Sequence, residues 1–306
     1  MKKILFTLLL TLSGSLYAAP LQVITSFSIL NDIAQQIGGE HIQAESLVGA
    51  DADAHAYQLN SADLKKITRA DLVILNGLGL ENADVLRAVK QNKVAHIEAT
   101  NGINALSNEE DEHKHEDEHE HEHEHEQHEH HHGAFDPHVW QDPVLMQKYA
   151  ANIAIAFIKA DPANARVYQK RFNDFSNQLV ELDTYTRTQL KNIAPEKRKV
   201  LTSHQAFQYL AHRYHIEFIA PQSVSTESEA SAKTVAALIR QIKADNIQAV
   251  FAENIKDNRL LERITQETQA KIGGKLYSDA LSAGKPANTY INLFRYNIDT
   301  IVAAMK

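Results

Sequence analysis

The side chains of this chain that could do chemistry are histidines and carboxylates, and they come in two kinds. The first is a run dominated by His and Glu, from His113 to His132. Neutral imidazole is a good ligand for zinc, copper and nickel, so the run offers many overlapping weak metal sites. It lacks apolar residues and nearly every side chain is charged or titratable, so no core can bury it. A mobile, solvated loop over 108–133 is expected. The second kind is a set of isolated groups. His55 lies in the small-residue stretch Gly49 to Tyr57, and His138 in Asp136-Pro137-His138-Val139-Trp140. His204 follows Val200-Leu201-Thr202-Ser203, and Asp279 follows Lys275-Leu276-Tyr277-Ser278. Three imidazoles and one carboxylate would make a tetrahedral shell suited to zinc.

Such a shell needs elements that bring four distant residues together. Short β-rich runs alternate with helical patterns: strands at Leu21 to Thr25, Ile42 to Val48, Leu72 to Leu75 and Val94 to Ile97, with helices near Ile29 to Ile37, Ser61 to Thr68 and Asn82 to Val89. The rhythm returns in Val200 to Ser203, Ile216 to Ala220, Ala249 to Ala252 and Lys275 to Ser278, and a last helix covers Tyr290 to Met305. This implies an α/β fold of two lobes, each a parallel sheet flanked by helices. Between them Tyr168, Phe172, Phe175, Leu179 and Leu182 recur at helical spacing. About thirty helical residues would span ~45 Å and serve as a rigid bridge. The expected division is 20–160 for the first lobe, 161–193 for the linker helix and 194–306 for the second lobe. Ligands of open α/β sheets bind beyond the carboxyl ends of the strands, and each of the four candidates follows an expected strand. His41, His96, His212 and His215 lack that placement and read as ordinary.

At 306 residues and 43 % hydrophobic content the chain can bury a large core. The formal net charge is -8, much of it in the His/Glu run, and nothing points to nucleic acid. The absence of cysteine excludes disulfides, thiolate zinc sites, a cysteine nucleophile and a lipidated cysteine. Lys2 and Lys3, the apolar run Ile4 to Leu12 and the small residues Ala18 and Ala19 read as an export signal over 1–19. Ser13 to Ser15 interrupt the run before the ~20 apolar residues of a membrane span. A periplasmic protein cleaved near Ala18 or Ala19 is expected.

Glu253 follows an expected strand and could reach the crevice, to orient a ligand, to pair with Lys256, or to act as the base of a zinc hydrolase. The structural role is the favoured one. Thr226-Glu227-Ser228-Glu229 reads as a capping segment for a helix over Ser231 to Lys243. No phosphate loop, GxSxG elbow or HExxH pair is present.

In order along the chain, Asp53-Ala54-His55-Ala56-Tyr57, Ala70 to Gly77, the acidic His-rich insertion, Asp136-Pro137-His138-Val139-Trp140, Ser203-His204-Gln205-Ala206-Phe207, Ser225 to Ala230 and Tyr277-Ser278-Asp279-Ala280-Leu281 resemble the metal-binding solute-binding proteins of ABC importers. Within this cluster A-I family they are most similar to the zinc-uptake, ZnuA-like branch. The resemblance implies that His55, His138, His204 and Asp279 are the metal positions, with no catalysis. It further implies zinc (Zn2+) as transported ligand, and a membrane permease and a periplasmic metallochaperone as partners of a monomer. Relatives that carry manganese commonly place Glu where this chain has His204, which favours zinc here. The alternatives are a manganese-type member of the family, a free-standing zinc chaperone or buffer, and the hydrolase using Glu253. Ala54 and Ala230 stand where the family usually has proline, so the loop around His55 is expected to be less rigid.

Overall fold

The computed structural model describes residues 19–306 apart from 109–133, 246 and 248. The expected signal segment and nearly all of the His/Glu loop lie outside the described residues. The first sheet contains β1 (Leu21–Phe27), β2 (Ile42–Val48), β3 (Leu72–Leu75) and β4 (His96–Glu98). All pair in parallel, in the order β2-β1-β3-β4. The second contains β5 (Lys199–Leu201), β6 (Glu217–Ile219), β7 (Ala249–Glu253) and β8 (Lys271–Leu276), also parallel, in the order β6-β5-β7-β8. The two sheets thus share one topology, with the strand order reversing beside the first strand of each.

Helices cover the sheets because their apolar residues fall on one stripe. In α1 (Ser28–Gly38) the buried residues include Ile29, Leu30, Ile33, Ala34 and Ile37. Asn60 caps α2 (Ser61–Arg69) by accepting from the amides of Ala62 and Asp63, and α3 (Ala83–Gln91) completes this side. The second lobe carries α6 (Gln208–Tyr214), α7 (Ala232–Ala244) and α8 (Arg259–Glu267). The cap of α7 is Ser231, whose hydroxyl accepts from Thr234 N at 3.1 Å, so the capping expected of Thr226 to Glu229 falls to the residue next to the helix.

Three helices join the lobes. Asp142 starts α4 (Leu145–Ala160): its carboxylate accepts from Val144 N and Leu145 N, and its carbonyl from Met146 N. After a short 3-10 turn at Pro162–Asn164 comes α5 (Ala165–Leu190), 26 residues or ~39 Å long. It is shorter than expected because Pro162 opens a tighter turn and the helix ends before Pro195. Arg198 closes it by donating to the carbonyls of Leu190 and Ile193 at 2.9 and 3.1 Å. Tyr168, Phe175, Leu179 and Leu182 point from α5 into one continuous core that also holds residues of α1, α4 and the last helix, α9 (Tyr290–Met305). The ring of Phe175 lies 6.4 Å from that of Tyr290, and Tyr290 N donates to Asp32 in α1. Among the described residues no helix is long and apolar enough to cross a membrane.

Strands β2 and β3 match the expected bounds, β1, β5, β6 and β7 differ by one or two residues at one or both ends, and two further departures have a physical reason. β8 begins four residues before Lys275 because Gly273, Gly274 and its exposed residues hide the strand pattern, and its pairing with β7 is interrupted by a register shift at Val250/Phe251. β4 is a three-residue edge strand displaced toward Glu98, too short and too exposed for a clear alternation.

Candidate metal centre

The four groups meet between the sheets. His55 leaves the carboxyl end of β2, His138 comes from the connection after β4, His204 follows β5 and Asp279 follows β8. His138 and Asp279 therefore hold matching places in the two lobes. His55 does not match His204, since it follows an edge strand and His204 an inner one. His55 is 5 % exposed and the other three are 0 % exposed. One ligand atom from each lies within 4.8 Å of every other. His55 Nε2 is 3.3 Å from His138 Nε2 and 3.3 Å from Asp279 Oδ2. His204 Nε2 is 3.1 Å from Asp279 Oδ2, and His138 Nε2 is 3.5 Å from Asp279 Oδ1. Neither carboxylate oxygen of Asp279 has a hydrogen-bond partner. A buried carboxylate left so, facing three imidazoles, is costly unless positive charge sits among them.

Each inward nitrogen is set by what holds its ring. Asp136 Oδ1 accepts from both His138 Nδ1–H, at 2.7 Å, and His138 N–H, at 2.9 Å. Glu253 lies behind His204: Oε2 is 2.6 Å from Nδ1, while Oε1 accepts from Ser203 N and His204 N at 2.7 and 3.0 Å. Asp136 thus holds a proton on Nδ1 of His138, and the Glu253 carboxylate favours one on Nδ1 of His204, so each ring turns its Nε2 inward, the usual arrangement behind a metal-bound histidine. Glu253 thus takes the orienting role; Lys256 pairs instead with Asp53, at 3.6 Å. Asn76 donates to Pro137 O at 3.1 Å and accepts from Tyr149 OH at 3.0 Å, fixing the backbone before His138. Trp140 Nε1 and Gln141 Nε2 both donate to Ser278 O, at 2.7 and 2.9 Å, fixing the backbone before Asp279. His138 and Trp140 are fully buried, so this stretch returns to the interior.

Burial by itself would push every one of these groups toward its neutral form, and the charges decide the outcome. For His138 burial is outweighed by Asp279 and Asp136, which raise it to about 9. For His204 burial is outweighed by Glu253 and Asp279, and it lies well above the ordinary histidine range. Burial is likewise overcome at Asp279 by His204 and His138, which hold it well below the carboxylate range. At His55 burial prevails and lowers it. The centre is built for a net positive occupant.

The residues that sequence reasoning missed are Asp136 and Asp53. Both stand two positions before a candidate histidine and accept its backbone N–H, at 2.9 and 3.0 Å. The repeated Asp-x-His spacing was the available signal, since an aspartate at that offset closes an Asx turn. Where a proline before His55 is absent, hydrogen bonds hold the loop. Asp53 anchors it on one side, and on the other Tyr57 OH donates to Asp63 at 2.7 Å. His41 packs against Tyr168, His96 lies on β4 and His215 caps α6 in a left-handed conformation; with His212 they stay outside the cluster.

The profile of the family described as ZnuA, zinc-uptake complex component A periplasmic, matches residues 23–304. The manganese-binding lipoprotein MntA of Bacillus subtilis is 31% identical over 296 residues, which cover 94% of this chain and 90% of MntA. The iron-binding protein YfeA of Yersinia pestis is 31% identical over 287 residues, covering 93% of this chain and 86% of YfeA. Among solved structures, the periplasmic zinc binding protein TroA from Treponema pallidum superimposes with a TM-score of 0.83 at 29% identity, covering 94% of this chain and 99% of that one.

Proposed function

Given that this chain belongs to the ZnuA family and is a periplasmic metal-binding component of an ABC metal importer, we propose that its cargo is zinc, held as one ion by His55, His138, His204 and Asp279 and handed to the permease. The observation that carries this reading is the spacing of the four donors. A tetrahedron with metal–ligand bonds of ~2.0–2.1 Å has edges of about 3.3 Å. Three of the six edges, His55 Nε2 to His138 Nε2 and Asp279 Oδ2 to the Nε2 atoms of His55 and His204, are 3.3, 3.3 and 3.1 Å, and no pair of the four donors is more than 4.8 Å apart. Three imidazoles and one carboxylate suit zinc better than manganese, which prefers oxygen donors. The bridging helix α5, packed along both lobes, favours capture with small relative movement over wide opening.

The chain is a binding component and not an enzyme. A catalytic zinc keeps one position open for water, whereas Asp279 offers a fourth ligand atom beside the three imidazoles and Glu253 is engaged behind His204. Isothermal titration of the metal-free protein with zinc and with manganese tests the choice of cargo. One tight zinc site with weaker manganese is expected, and tighter manganese binding refutes it.

A further inference from the structure

None of the four donors is more than 5 % exposed, so an ion enters or leaves only when part of the wall moves. Three parts are tied by bonds to buried neighbours, and the first of these ties itself crosses the cleft. The turn after His138 is fixed to Ser278 O through Trp140 and Gln141. His204 N is held by Glu253, and Asp279 directly follows the pinned Ser278. The fourth part is the stretch 49–60, which has neither helix nor strand and in which Asp51, Ala56, Gln58 and Asn60 are exposed. It carries His55, the one donor with any exposure.

This stretch is tied to its own lobe through Tyr57, whose hydroxyl donates to Asp63 and whose carbonyl accepts from Asn82. It is tied across the cleft at Asp51, whose N–H donates to Leu281 O at 2.8 Å and whose carboxylate accepts from Asn254 Nδ2 and Ala283 N at 3.0 and 3.2 Å, and again through the carboxylate of Asp53. The two oxygens of that carboxylate do different things. Oδ1 accepts the backbone N–H of His55 at 3.0 Å. Oδ2 accepts the hydroxyl of Thr226, in the other lobe, at 2.6 Å and lies 3.6 Å from Lys256 Nζ. Lys256 closes the triangle by donating to Thr226 O at 2.9 Å. Thr226 is itself 5 % exposed, so its hydroxyl has little water to turn to when the bond to Asp53 breaks.

Building on the metal-binding reading above, we propose that Asp53, Thr226 and Lys256 form a latch across the cleft that sets how fast the bound ion leaves. Opening the latch removes the tie to the second lobe that also holds the backbone of His55, while the bonds of Asp51 keep the start of the stretch in place and the three other donors stay where they are. Release is thereby controlled by residues that are not among the four donors.

The test uses the full chain loaded with zinc and mixed with excess chelator, with release followed by stopped flow. Thr226→Val keeps the shape and removes the hydroxyl, and Thr226→Ser keeps the hydroxyl. Loss of a hydrogen bond to a charged acceptor predicts zinc release about tenfold faster for Thr226→Val. Thr226→Ser should stay within about twofold of the unaltered chain, and the absorption spectrum of bound cobalt should be the same in all three, showing an intact donor set. Lys256→Met, at a side chain that is 21% exposed, provides a second variant that folding is less sensitive to and should also speed release. Unchanged release in Thr226→Val and Lys256→Met overturns the latch, as does equal acceleration by Thr226→Ser, or an altered cobalt spectrum. An unaltered chain that takes up no zinc overturns the metal-binding reading itself.

Discussion

Replacing Glu253 by glutamine alters a single atom position and should weaken zinc binding about 100-fold, equivalent to ~2.7 kcal/mol. In one orientation the amide oxygen keeps the bonds from Ser203 N and His204 N, at 2.7 and 3.0 Å, and the amide nitrogen faces His204 Nδ1 at the position 2.6 Å away. An amide donor there forces Nδ1 to accept, so the proton moves to Nε2 and blocks the lone pair aimed at the ion. In the flipped orientation Nδ1 keeps its acceptor, but the amide nitrogen then confronts two backbone N–H groups that have no other partner. Both arrangements lose, because Glu253 is 1 % exposed and no water can substitute. Affinity is read by competition with a chromophoric chelator, and circular dichroism of the metal-free variant verifies the fold. A folded Glu253→Gln protein with zinc affinity within about threefold of the unaltered chain would refute the view that the proton on His204 is set by Glu253.

Zinc uptake should also release protons. His138 is raised to about 9 and His204 lies higher than an ordinary histidine, so in the ion-free protein at pH 7 both rings carry a proton that the metal displaces, whereas His55 is lowered and carries none. About two protons per zinc are expected at pH 7, and affinity should fall by ~100-fold for each unit of acidification while both rings are protonated. Titration calorimetry in buffers of different ionisation enthalpy measures this number directly, and a value near zero contradicts it. Phe175→Ala removes a side chain that is 1 % exposed where α5 meets α9. It should cost ~3–5 kcal/mol of stability in urea unfolding and change zinc affinity by less than about tenfold, because no donor lies on α5.

Much of the fold was legible in the sequence because strands such as Leu72–Leu75 and helices such as α1 announce themselves in a few consecutive residues, through apolar period and burial on one face. Position beyond a strand end drew attention to His55, His138, His204 and Asp279, whose ligand atoms lie within 4.8 Å of one another, but Glu253 stands at a strand end as well, and position alone does not separate it from them. The Asp-x-His turns went unread, although a two-residue offset acting on its own backbone was there as a signal. The edge strand β8 was not legible, since it mixes glycines with exposed residues and pairs on one side only, whereas the edge strand β2 was read to its bounds.

What only the tertiary structure decided is which partners these residues take. Glu253 could have reached Lys256, three positions away, and instead stands behind His204, 49 positions away. Asp53 meets Thr226 across 173 positions, and Trp140 meets Ser278 across 138. Local propensity acts over a few residues and carries no information about such pairs. They exist because two sheets of one topology are packed through a shared core, and that packing brings the ends of distant strands to the same few ångströms.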